Sequence, residues 1–247
     1  LYFIDWAASV TESSEAGKFL GQLCAKDGSG NFKYARKLIQ FLKYYGIDGI
    51  GINPEGYWSS TLNENFSSFL AECHKVAKEE NWPFHVDWYA FVSNSGGLSD
   101  NGCSLGIGEN DKWFQKNGEP VTDVFFLNYN WGESQLIKSA EAAKSLGRST
   151  FDVYAGFDQQ GRGYGLKWSA LMRQPVSVVV WGAHDRSQLY ASSTEGGTSD
   201  LAIQKEYQTK QELLFTGGTR NVLNTPPVTD AQVTACLLYT SPRPRDR

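Results

Sequence analysis

The chain has 247 residues, a formal net charge of −4, 40% hydrophobic residues and 14% aromatic residues. That is apolar material for one large core or two small ones, with no basic patch for a nucleic-acid backbone and no apolar run as long as a membrane span. These exclusions leave a neutral or weakly charged small molecule or a glycan as the expected ligand. Eight Trp suit the lining of a carbohydrate cleft as well as a core.

The chain opens at Leu1 with no Met and no charged-then-apolar leader, so its true start and any targeting signal are expected upstream. The last twelve residues, Cys236 to Arg247, differ in composition from what precedes them and resemble translated sequencing adapter. The expected layout is a partial catalytic domain over 1–227, the start of a truncated downstream region over 228–235 and a non-native tail over 236–247.

In chain order, Leu1 to Trp6 reads as a strand, followed by a helical stripe of Phe32, Ala35, Leu38, Ile39, Leu42 and Tyr45. Ile47 to Asn53 is the next strand, then a stripe of Phe66, Phe69, Leu70, Cys73 and Val76, then a strand from Phe84 to Phe91. Ser93 to Asp111 is rich in Gly and Ser and reads as a loop. Val124 to Trp131 is a strand, Leu136, Ala140, Ala143 and Leu146 mark a third helix, and Phe151 to Asp158 and Val176 to Ala183 are the last strands. Short runs rich in β-branched and aromatic residues alternating with amphipathic helices describe βα units.

A doubly wound sheet would give a similar pattern. The polar residues, however, collect where strands end: Asn53 and Glu55, then Trp88 and Tyr89, then Asn128, Asn130 and Trp131, then Asp158 and Gln160, then Trp181 and His184. That is where a (β/α)8 barrel keeps its active site. Six strands are visible, so the expected fold is α/β, an incomplete (β/α)8 TIM barrel whose first two or so strands are missing upstream.

Asn53-Pro54-Glu55 sets an amide and a carboxylate at i and i+2, on one face of a strand and roughly 6 to 7 Å apart. One can hold an internal nucleophile while the other protonates a departing sugar oxygen. Burial in an apolar cup would raise the pKa of Glu55 toward that task. Gly49 and Gly51 lie on the same face as Asn53; they either leave room for a sugar or allow close backbone packing. Cys24, Cys73 and Cys103 show no C-x-x-C spacing and read as small core residues. His74 and His85 form no metal set with neighbouring carboxylates, and no metal or cofactor is expected.

The segments Tyr44 to Glu55, His85 to Tyr89, Phe125 to Trp131 and Asp152 to Arg162 resemble, in that order, successive barrel strands of the glycoside hydrolase family 85 endo-β-N-acetylglucosaminidases. Gly21 to Phe32 resembles the segment before that family's catalytic strand, and the likeness runs to roughly Pro227. The resemblance implies hydrolysis of the β-1,4 bond in the GlcNAc-GlcNAc core of N-linked glycans or glycoproteins, with the substrate's 2-acetamido oxygen as nucleophile. It implies Glu55 as acid and then base, Asn53 as holder of the acetamido nitrogen side, and Tyr89 as hydrogen-bond partner of the acetamido oxygen. Trp88, Asn128, Asn130, Trp131, Asp158, Gln160, Arg162, Trp181 and His184 are the candidate substrate-binding residues. Where many relatives carry Asp after Trp-Tyr, Ala90 stands here, and the family's Trp-Gln-Asn element is absent from the following loop. The alternatives are a family 18 chitinase-like glycosidase, which prefers Asp where Gly51 and Asn53 stand, and a catalytically inactive glycan-binding barrel.

Overall fold

The computed structural model describes residues 2–6, 8–158, 168–171 and 173–182. The elements are β1 (Tyr2–Trp6), α1 (Glu15–Leu23), α2 (Ala35–Tyr44), β2 (Gly49–Pro54), α3 (Ser60–Glu79), β3 (His85–Tyr89), β4 (Gln115–Lys116), β5 (Glu119–Pro120), β6 (Val124–Leu127), α4 (Glu133–Ser145), β7 (Val153–Asp158), α5 (Trp168–Leu171) and β8 (Ser177–Trp181). Two compact units divide the chain, Leu1–Ala155 and Gly156–Arg247. The second holds the end of β7, α5 and β8.

In the first unit, β1, β2, β3, β6 and β7 form a parallel sheet whose strand order follows the chain. The fold is thus α/β with a parallel sheet. Its helices start and stop for local reasons. Ser14 caps α1 by accepting the Gly17 N–H at 3.0 Å, and Glu15 adds negative charge to the first turn. Ser59 caps α3 in the same way, accepting the Leu62 N–H at 3.3 Å. At the end of α2 the chain turns through Gly46, whose φ of +67° suits a residue without a Cβ.

The α3 stripe is buried as its spacing predicts, Phe66, Phe69, Leu70, Cys73 and Val76 all facing the core. In α2, Ala35, Ile39 and Leu42 are buried, but Tyr45 lies beyond the helix end and is exposed. Helix α1 was not expected: it is nine residues long and buries only Gly17 and Leu20, too few apolar positions to show a stripe. Nor was the β4–β5 hairpin, which turns through Asn117 and Gly118, both at positive φ, the pairing that a tight two-residue turn requires.

One face of the sheet is apolar. Ile50, Ile52, Val86, Trp88, Phe125, Leu127, Val153 and Ala155 are all buried, and they alternate with the residues of the other face, as strand periodicity demands. Trp58, Trp88, Trp113 and Phe66 join into one aromatic cluster, with Trp88 and Trp113 stacked at 3.9 Å and 12°. The stretch after β3 is a loop, as read, but an internally braced one. Asn94 Nδ2 donates to Asp111 Oδ1 at 2.6 Å, Asn110 Nδ2 donates to the Ser104 carbonyl at 2.9 Å, and the Leu105 N–H donates to Ser139 Oγ at 2.9 Å.

Candidate active site

The opposite face of the sheet carries the candidate residues Asn53 and Tyr89. Gly51 pairs with Asp87 and Ile52 with Trp88, so the next step of the same register sets Asn53 beside Tyr89, on strands about 4.8 Å apart and pointing the same way. Tyr89 pairs with Phe126, and Phe126 with Tyr154. Register therefore brings the two backbone positions side by side on one face, from places 36 residues apart in the chain.

Pro54 ends β2, where its missing N–H costs no interior ladder bond. Glu55 follows, and its Oε1 accepts a hydrogen bond from Asn53 Nδ2 at 3.2 Å. The two groups converge. Gly56 lies so close to the backbone of Ala8 and Ser9 that no Cβ fits there, which holds the turn after Glu55 against the chain leaving β1. Glu55 itself is exposed, a correction to the apolar cup expected around it.

Gly49 resolves one of the two open readings: a Cβ there would collide with the His85 carbonyl oxygen, so its role is close packing of β2 on β3. Gly49→Ala is expected to destabilise the unit by about 1–3 kcal/mol through overpacking, read as a fall in the urea midpoint with an unchanged slope.

The other sequence candidates divide. Trp88, one residue from Tyr89, points to the opposite face and is 0% exposed, so it belongs to the core and is not open to a sugar. The Asn128 amide serves the loop after β3: its Nδ2 donates to the Asn101 carbonyl at 2.7 Å and its Oδ1 accepts the Tyr129 N–H at 2.7 Å. Strand β6 ends just before Asn128, at Leu127, four residues before the expected Trp131. Asn130 is exposed and Trp131 is buried. Asp158, half-buried, and Trp181, exposed, belong to the second unit. Gln160, Arg162 and His184 lie outside the described residues.

Sequence reading missed the rings around Tyr89. Phe91 lies 5.9 Å away and nearly parallel at 14°, Phe126 is edge-on at 5.3 Å and 77°, and Tyr129 is at 6.1 Å. The signal was present in the period of two, since Phe91 is i+2 from Tyr89. Asp87, i−2 from Tyr89, was also passed over. Burial, chiefly, and then the nearby Asp123 carboxylate hold its carboxyl above the usual carboxylate range.

A carboxyl whose pKa is higher in the folded chain than in the unfolded one keeps its proton longer when folded, so its ionisation opposes folding. Asp87→Asn is therefore expected to raise Tm at neutral pH. The gain should shrink as pH falls through the raised value and vanish below about pH 3.9. Melting curves of both proteins from acid to neutral pH check this.

Away from the site, the His74 ring nitrogen Nε2 lies 3.2 Å from the Val121 carbonyl and 3.5 Å from Asp123 Oδ2, and burial pushes its pKa down. Burial pushes the Cys24 thiol up to about 12, which makes it a packing residue and not a nucleophile. Among the described residues no three His, Cys, Asp or Glu side chains gather as a metal site would require, and no helix is long and apolar enough to cross a membrane.

Comparison with known proteins decides the lineage. The model of glycosyl hydrolase family 85 matches residues 6–242. The chain belongs to glycosyl hydrolase family 85. That membership sets aside the family 18 alternative, and the family 85 match extends past Pro227, where the resemblance was read to stop. Cytosolic endo-beta-N-acetylglucosaminidase 2 of Arabidopsis thaliana is 30% identical over 182 residues, which is 70% of this chain and 24% of that protein. Cytosolic endo-beta-N-acetylglucosaminidase of Homo sapiens is 29% identical over 154 residues, 62% of this chain and 19% of that protein. This family 85 chain thus spans about a quarter or less of the length of these curated relatives. The solved glycoside hydrolase domain of Endo-D from Streptococcus pneumoniae R6 has a similar fold, with a TM-score of 0.67 at 24% identity over 87% of this chain and 33% of that one.

Proposed function

We propose that the chain is part of the catalytic domain of an endo-β-N-acetylglucosaminidase. It would cleave the β-1,4 bond of the GlcNAc-GlcNAc core of N-linked glycans by substrate-assisted, retaining catalysis on an incomplete (β/α)8 barrel. The carrying observation is the 3.2 Å hydrogen bond from Asn53 Nδ2 to Glu55 Oε1, which holds amide and carboxyl within reach of one sugar. The barrel reading is supported by the strand order, which follows the chain from β1 to β7 without the reversal that a doubly wound sheet makes at its switch point.

In this reading the 2-acetamido oxygen of the substrate attacks its own anomeric carbon as the bond to the leaving oxygen breaks. Glu55 gives its proton to that oxygen. Asn53 accepts from the acetamido N–H and Tyr89 donates to the acetamido oxygen, so the nucleophile is oriented before it reacts. An oxazolinium intermediate results, its N–H still donating to Asn53. The Glu55 carboxylate then takes a proton from water, the water oxygen bonds to the anomeric carbon, and the oxazoline ring opens to restore the acetamido group. Two inversions leave the configuration retained.

The test is to incubate the protein with a high-mannose glycoprotein and weigh the products. A glycoprotein left with one GlcNAc, and a glycan released first as the β-anomer, supports the reading. Binding of the glycan without any release would instead favour an inactive glycan-binding barrel.

A further inference from the structure

We propose that Phe91, Phe126 and Tyr129 are positioning residues that hold the Tyr89 phenol in one orientation, an inference that rests on the substrate-assisted reading above. Tyr89 is 8% exposed. Around it stand Phe91, parallel within 14° at 5.9 Å; Phe126, edge-on at 77° and 5.3 Å; and Tyr129, tilted by 33° at 6.1 Å. Phe126 and Tyr129 also brace each other edge to face at 5.8 Å.

Phe91 lies two residues beyond Tyr89 on the chain leaving β3, and the fold brings up the other two rings, Phe126 as the residue paired with Tyr89 on β6 and Tyr129 from the turn after β6. A parallel ring on one side resists tilting of the phenol plane, and an edge-on ring resists its sideways swing. The geometry matters because a reaction with an internal nucleophile gains its rate from orientation more than from contact. A phenol free to rock would still bind the sugar yet would hold the acetamido oxygen off its line of attack. The effect should fall on turnover and spare binding.

Phe126→Leu keeps the apolar bulk and removes the flat face, whereas Phe126→Tyr keeps the face. With a chitobiose-core glycopeptide as substrate, Phe126→Leu is expected to lower kcat about tenfold with KM within about twofold, and Phe126→Tyr to stay near wild type. Placed in a Tyr89→Phe background, Phe126→Leu should cost nothing further, because its effect passes through the Tyr89 hydroxyl. Phe91→Leu provides the same readout should Phe126→Leu fail to fold, as judged by thermal melting. A raised KM with unchanged kcat, or an undiminished loss in the Tyr89→Phe background, overturns the positioning role alone. A wild-type protein that releases no glycan overturns the reaction assignment and this role with it.

Discussion

Glu55→Gln is expected to lower glycan release by about 10²- to 10⁴-fold while leaving the fold and glycan binding intact, the range that a positioned proton donor contributes. The substitution is nearly isosteric, and its remaining Oε1 can still accept the hydrogen bond that Asn53 Nδ2 now gives to Glu55 at 3.2 Å. What disappears is the ability to give and then take a proton. Both halves of the proposed reaction need that, so neither formation of the oxazoline nor its opening by water escapes the loss. Glu55 is exposed and packs into no core, so Tm should stay within about 1 °C, as surface substitutions usually have small effects. Mass spectrometry of released glycan, calorimetric titration with a chitobiose-core glycopeptide and thermal melting together check the three parts. Release at the wild-type rate would remove Glu55 from the chemistry.

Trp88→Ala should act in the opposite way, on stability and not on the sugar. Trp88 is fully buried, stacked on Trp113 at 3.9 Å and edge-on to Trp58 at 5.9 Å. Emptying that space removes an indole from the middle of the aromatic cluster, and truncations of this kind cost about 3–5 kcal/mol. For a unit of this size that is a fall in Tm of roughly 6 to 20 °C. The neighbouring Trp113 is pinned by its own Nε1–H, which donates to the Ser93 carbonyl at 3.3 Å, so the cavity cannot close by simple collapse of its partner. Trp88→Phe, which refills part of the space, should recover much of the loss and bind the glycopeptide as wild type does. A Trp88→Phe protein with normal Tm and a much raised KM would return this residue to the sugar site.

Much of the candidate site was legible because its signal is local. Asn53 and Glu55 stand two residues apart at the end of an apolar run, and that spacing alone puts them on one face. The helices behind the sheet were legible where an apolar stripe is long, as in α3, and illegible where it is short, as in α1. Trp88 and Tyr89 form the instructive pair. Tyr89 was read as a catalytic residue and Trp88 as a substrate-binding one, yet adjacent strand residues face opposite ways, and Trp88 faces the buried aromatic cluster. Asn128 was less legible for another reason: its amide is engaged by Asn101, 27 residues earlier, and a partner so remote leaves no mark on the residues around it.

What the sequence by itself determined is the order of the six sheet strands and of the helices α2, α3 and α4, and the pairing of an amide with an acid, because periodicity and i,i+2 spacing are properties of neighbouring residues. Only the tertiary structure decided that Phe126 and Tyr129 stand against Tyr89, that Trp88 goes to the core, and that Glu55 lies exposed. Those outcomes depend on strand register and on loops arriving from elsewhere in the chain, and long-range contacts of that kind are set by the packing of the whole unit.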